Sequence, residues 1–323
     1  MKLILSSILI FASTLLFSQM GIVKIEEEIY YQKDTIRGTL VMPFKSIEVA
    51  KVQKAPLMII IPGSGPTDRD GNSQLSPGKA SIFLHLADSL AKKGISSFRY
   101  DKIGVGKSTF NLGEEKFRFE DNSKVVIEII KQLKAKLQFK NIYIMGHSEG
   151  SLIGMLSCQK ADVKGYISLA GPAKNACEIL KDQMETNLTG TLKEEAIVKL
   201  DSLGKGFKVK KFNIRLAALM RASIQPYIIS WFKYTPSEEL AKLKCPILII
   251  QGGRDLQVPK EEGDKLASVK GDYLFYPNMN HVAKDVGETR NENLAAYSDP
   301  DFPFSENFID DLSNWILLGG KLK

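Results

Sequence analysis

Residues 141–150 read NIYIMGHSEG, and these ten letters hold a strand, a tight turn and the start of a helix. Asn141 to Met145 is a short β-type run. Gly146-His147-Ser148-Glu149-Gly150 then forms a G-x-S-x-G turn, and an apolar helical pattern follows from about 150 to 160. The spacing has a steric reason. A serine raised on a sharp strand-to-helix turn leaves no room for side chains two residues away, and glycine at 146 and 150 supplies none. Ser148 is therefore expected at the end of a strand, above a helix N-terminus that favours developing negative charge.

The flanking sequence continues the same alternation. Residues 22–32 and 35–43 read as two β-segments joined across Lys33-Asp34, a hairpin at a sheet edge. Leu57-Met58-Ile59-Ile60-Ile61, ending in Pro62-Gly63, is an unbroken apolar run, the profile of a strand buried on both faces. A helix at 81–94, a strand at 96–100 and a helix at 121–137 lead into the quoted stretch. After it come strands at 165–170, 246–250 and 273–276, with helices near 260–268 and 305–317. Strand and helix in alternation imply a mostly parallel α/β sheet covered on both faces, with ligands bound at the carboxyl ends of its strands. Between 173 and 244 the alternation stops. That segment reads as helices at 176–187, 191–203, 212–222 and 236–242, too apolar for a linker, and is expected to cap the active face. The expected organisation is a core of residues 19–172 and 245–323 with a helical cap insertion at 173–244.

Residues 1–18, MKLILSSILIFASTLLFS, have one lysine and then no charge, the layout of a signal peptide, and the run is short for a membrane span. The mature chain is expected to be exported, periplasmic or secreted, without stable membrane insertion. The net charge of +7 is dispersed as single lysines rather than gathered in a stripe, which argues against a nucleic-acid partner. Cys158, Cys177 and Cys245 cannot all pair within one chain and form no CxxC, so neither a metal nor a redox framework is expected. The stretch YDKIGVGKST, 100–109, ends like a phosphate-binding loop. Asp101, however, stands where the first glycine of that loop belongs, and no helical pattern follows. No nucleotide is expected.

A serine hydroxyl needs a base, and the base needs a carboxylate to orient it. The chain has three histidines. His147 lies inside the turn and is expected to point away from the serine, and His85 is flanked by Leu84 and Leu86 on a helix. His281, in the loop after strand 273–276, is left as the base. Asp255, leaving the end of strand 246–250, is the expected carboxylate, with Asp272 and Asp285 as alternatives. The oxyanion of acyl transfer needs N–H donors. Expected are the backbone N–H of Glu149 and that of Ser64, in the glycine-rich Pro62-Gly63-Ser64-Gly65-Pro66.

The order Ser148, Asp255, His281 is similar to that of the α/β-hydrolases. The chain more closely resembles bacterial esterases grouped with the serine aminopeptidases. The likeness rests on residues 62–72 (PGSGPTDRDGN), on 100–108 (YDKIGVGKS), on the turn at Ser148, on Asp255 with Val258-Pro259, and on Gln225-Pro226-Tyr227 and Ser230 to Tyr234, spanning roughly 55–285. Ile103 departs from the arginine usual there. The resemblance implies hydrolysis of small or medium acyl esters through an acyl-enzyme, with no metal or organic cofactor and a small-molecule ester as partner. The alternative is an exported peptidase of the same fold. A carboxylate-nucleophile dehalogenase is disfavoured by Ser148 itself. Tyr227 and Trp231, beside Phe232 and Tyr234, are expected either to line a substrate pocket or to pack the cap on the core.

Overall fold

The computed structural model describes residues 21–43, 55–73, 78–137 and 139–322. The expected signal peptide lies outside them. Among the described residues no helix is long and apolar enough to cross a membrane.

Eight strands form one sheet: β1 Ile22–Tyr31, β2 Asp34–Pro43, β3 Pro56–Ile61, β4 Ser96–Tyr100, β5 Asn141–His147, β6 Gly165–Leu169, β7 Ile247–Gly252 and β8 Asp272–Tyr276. Their spatial order is β1-β2-β4-β3-β5-β6-β7-β8. The β1–β2 hairpin turns between Tyr31 and Asp34, and β2 pairs antiparallel with β4. All later pairings are parallel.

The unbroken apolar runs behave as a doubly covered sheet requires. Leu57, Ile59 and Ile61 face one side with Ile142 and Ile144, packed with helices α2 Phe119–Leu137 and α3 Glu149–Cys158. Met58 and Ile60 face the other with Tyr143 and Met145, against α1 Ile82–Lys92 and the C-terminal helix α11 Phe308–Leu317. Alternation of side chains along a strand makes this division automatic. Helix α9 Lys260–Val269 joins β7 to β8, and the short α10 Arg290–Ala295 follows β8.

Between β6 and β7 lie helices α4 Ala176–Asn187, α5 Gly190–Gly204, α6 Ala217–Met220, α7 Gln225–Trp231 and α8 Pro236–Ala241. The helix expected over 212–222 is shorter: a 3-10 turn at Ile214–Leu216, capped by the Asn213 side chain, leads into the single turn of α6, and extended backbone at Arg221 ends it. Helix α7 was not expected. Pro226 sits in its first turn, where proline lacks nothing the helix would use.

Candidate active site

Because β3, β5, β7 and β8 run parallel, their carboxyl ends open on one edge of the sheet. The candidate residues leave from those ends.

Ser148 follows β5 directly, at φ 55° and ψ −123°, a region that costs a side-chain-bearing residue about 1–3 kcal/mol. The turn is held by Ser148 N–H donating to Leu169 O (3.0 Å) and Ser151 N–H donating to Ser148 O (3.0 Å). A Cβ on Gly146 would lie 2.1 Å from Gly150 O, and one on Gly150 2.5 Å from Ile61 O. The serine turn is thus wedged against the end of β3, where the Ser64 loop begins.

Asp255 and His281 meet at 2.7 Å, Oδ2 to Nδ1, with both side chains buried. The other Asp255 oxygen accepts the backbone N–H groups of Gln257 (2.8 Å) and Val258 (2.9 Å), so the carboxylate has one orientation. The two loops are laced together by Gly253 N–H to Tyr276 O and Arg254 N–H to Met279 O. Asn280, fully buried, shapes the histidine loop by accepting Val282 and Lys284 N–H on its side-chain oxygen. The alternative carboxylates are engaged elsewhere: Asp272 accepts Trp315 Nε1–H (2.8 Å), and Asp285 holds Ser305 Oγ and Glu306 N–H.

His147 lines the larger of the two cavities at Ser148, beside His281. Its Nε2 lies 2.8 Å from the carbonyl oxygen of His281, and the two rings are 4.7 Å apart. Burial, and after it the neighbouring His281, push the His147 imidazole down to about 3. It is neutral in the working range, so Nε2 carries the hydrogen that the carbonyl accepts. A base whose pKa falls on folding binds fewer protons folded than unfolded between 6.5 and about 3, so stability is lost as pH drops through that window. Unfolding in urea should show this one residue costing on the order of 2–3 kcal/mol between pH 7 and pH 4.5. The acid-induced loss should shrink by that amount in His147→Gln. An unchanged loss would rule this contribution out.

Behind Ser64, Lys102 is buried and its Nζ donates to Gly63 O at 2.5 Å. In a trans peptide the C=O and the next N–H point opposite ways, so anchoring the Gly63 carbonyl turns the Ser64 N–H the other way. Burial lowers the Lys102 pKa, and the Glu149 carboxylate partly offsets this. Glu149 is buried and accepts the Tyr227 hydroxyl at 3.0 Å. Of the two places expected for Tyr227, the structure gives it the one that packs the cap on the core. Its ring stacks on Phe117 at 5.9 Å, and its hydroxyl is committed to Glu149 and Asn122. Burial and that carboxylate raise its pKa, which keeps it a donor.

Two cavities meet at Ser148. One, of about 70 Å³, is walled by Leu152, Ile179, Leu180, Trp231 and Val258, with Lys174 also in its lining. The other, of about 290 Å³, is lined by His281, Thr67, Asn72, Gln257 and Tyr297 among others. Ser64, Ser148 and Gln257 belong to both.

The GKS turn has an occupant of its own. Asp101 accepts Lys107 N–H (2.9 Å), and also Arg69 N–H and Arg69 Nη2 (2.9 and 2.8 Å). A Cβ on Gly106 would lie 2.6 Å from that carboxylate. Burial alone would raise the Asp101 pKa, but Arg69 and the two N–H groups bring it below the ordinary value.

Sequence comparison places a match to the serine aminopeptidase family S33 at residues 78–201. The esterase EstD of Thermotoga maritima is 27% identical over 276 residues, covering 80% of this chain and 61% of EstD. The chain thus spans less than two thirds of that relative. Among solved structures, Est1E from Butyrivibrio proteoclasticus with ferulic acid bound superposes with a TM-score of 0.59 at 17% identity, over 91% of this chain and 98% of that one. Proline iminopeptidase from Mycobacterium smegmatis gives 0.55 at 11%, over 92% and 99%. A mostly parallel eight-stranded sheet, a serine turn on its central strand and these likenesses together show that this chain has the α/β-hydrolase fold.

Proposed function

We propose that the chain is a serine carboxylic ester hydrolase, exported by its N-terminal leader, that works through an acyl-enzyme. The observation that carries this reading is the 2.7 Å Asp255–His281 contact opening onto the cavity that Ser148 and His281 share. Ser148 Oγ attacks the ester carbonyl, His281 Nε2 takes its proton and returns it to the departing alcohol, and Asp255 fixes the imidazole tautomer. The N–H groups of Ser64 and Glu149 receive the oxyanion. The segment between β6 and β7 acts as the cap, since Ile179, Leu180 and Trp231 come from it.

The same three residues can cleave amides, and aminopeptidases are among the relatives. An aminoacyl substrate would carry an α-ammonium beside its carbonyl and needs an anion to receive it. Glu149 and Lys174 both line the small cavity; one Glu149 oxygen accepts the Tyr227 hydroxyl, and Lys174 is paired with Asp182 and Glu262. The likeness to the esterase EstD favours the ester reading. The purified mature chain should hydrolyse p-nitrophenyl butyrate and leave aminoacyl p-nitroanilides intact. Anilide cleavage of similar efficiency would reject the ester reading.

Lys102 is a positioning residue in this scheme. Lys102→Met should lower kcat about 10- to 100-fold with KM little changed, because the Ser64 N–H acts most strongly on the transition state. The melting temperature should hold within a few degrees, since removing a buried cation relieves its desolvation. A kcat within twofold of the wild type would release Lys102 from this role.

A further inference from the structure

The two cavities are unequal in size, Lys174 and Glu149 line only the smaller, and His281 lines only the larger. On the ester-hydrolase reading above, this decides which part of the substrate goes where. Acylation forms the bond from Ser148 Oγ to the acyl carbon and breaks the bond from that carbon to the alcohol oxygen. The Ser148 proton travels through His281 Nε2 to that oxygen. Water then repeats the path, giving its hydroxyl to the acyl carbon and its proton back to Ser148. The departing oxygen must lie within reach of His281, so the alcohol occupies the cavity His281 lines and the acyl chain the other.

We propose that the substrate is a short-chain acyl ester of a neutral, hydroxyl-rich alcohol of about monosaccharide size. A cavity of 150 Å³ that holds benzene allows roughly 25 Å³ per carbon. By that measure the smaller cavity of about 70 Å³, with Leu152, Ile179, Leu180, Trp231 and Val258 as its apolar wall, accepts about three carbon-sized groups beyond the reacting centre. A ferulic acid group of the kind bound to Est1E exceeds it. The cavity of about 290 Å³ holds about a dozen non-hydrogen atoms. Its lining includes the Thr67 hydroxyl, which donates to Ser64 O and can still accept, and the Gln257 amide and Tyr297 phenol, which bond each other at 3.3 Å and keep further donor and acceptor capacity; the Asn72 amide is engaged by Ser81. Among the described residues it includes no Asp, Glu, Lys or Arg. Hydroxyl groups can be paired there, whereas a phosphate or an ammonium would be left without a counter-charge.

Two series on the purified mature chain test this. In the first, p-nitrophenyl acetate, butyrate and octanoate share one leaving group. kcat/KM is expected to fall at least 30-fold from butyrate to octanoate, and Leu180→Ala should narrow that ratio about tenfold. In the second, acetate release is followed from ethyl acetate and from 6-O-acetylglucose. The sugar ester should be favoured at least tenfold, with the preference reduced about fivefold in Tyr297→Phe. Octanoate matching butyrate, or ethyl acetate matching the sugar ester, in the unmodified chain would overturn the assignment while leaving the esterase reading standing. Ester turnover that is absent, or that survives in Ser148→Ala, would overturn both.

Discussion

Alanine at position 148 is expected to reduce hydrolysis of p-nitrophenyl butyrate by about 10⁴- to 10⁶-fold, with circular dichroism unchanged. On the proposed mechanism the magnitude follows because nucleophile, base and carboxylate act as a unit, and removing the nucleophile would leave only binding and the oxyanion donors. The fold should survive because the turn depends on backbone contacts: Ser148 N–H to Leu169 O, Ser151 N–H to Ser148 O, and the close approach of Gly150 to Ile61. Alanine keeps all three. A variant with native dichroism that retained more than about a tenth of the activity would show that Ser148 is not the nucleophile.

Asp255→Asn should reduce turnover about 10⁴-fold. One Asp255 oxygen accepts the N–H groups of Gln257 and Val258, and only an oxygen can do so. An asparagine that keeps those bonds turns its NH₂ toward His281 Nδ1. Nδ1 must then be the bare nitrogen and Nε2 the protonated one, and a protonated Nε2 cannot take the serine proton. Asp272→Asn and Asp285→Asn should remain within about tenfold of the parent, because their partners are Trp315 for the first, and the Ser305 hydroxyl and Glu306 N–H for the second. If Asp285→Asn proved the more damaging for kcat at equal stability, the carboxylate role would move to it.

What the sequence disclosed and what it withheld differ in kind. The strands were legible because burial on both faces writes an unbroken apolar run, as at Leu57 to Ile61, and the serine turn was legible because its sterics demand two glycines at fixed spacing. Asp255 and His281 follow from chain order at strand ends. Lys102, Asn280 and the contact of His147 were not legible, because each acts on a backbone group: the Gly63 carbonyl, the Val282 and Lys284 N–H, and the His281 carbonyl. No side-chain pattern marks a carbonyl as a target. His147 was expected only to point away from the serine, and which backbone it meets depends on where β8 brings its loop. Helix α7 was missed because a proline reads as punctuation unless the helix is known to begin there.

The Asp101 carboxylate has a consequence for how this architecture could change. It fills the GKS turn, and by accepting two hydrogen bonds from Arg69 it also moors the long segment after β3 that carries Ser64. Exchanging Asp101 for glycine would restore the letters of a nucleotide-binding loop and at the same stroke remove two of the hydrogen bonds that hold the segment carrying Ser64. One side chain thus both keeps this turn from being a phosphate cradle and steadies the segment beside Ser148, so a change toward the first use would come at the expense of the second.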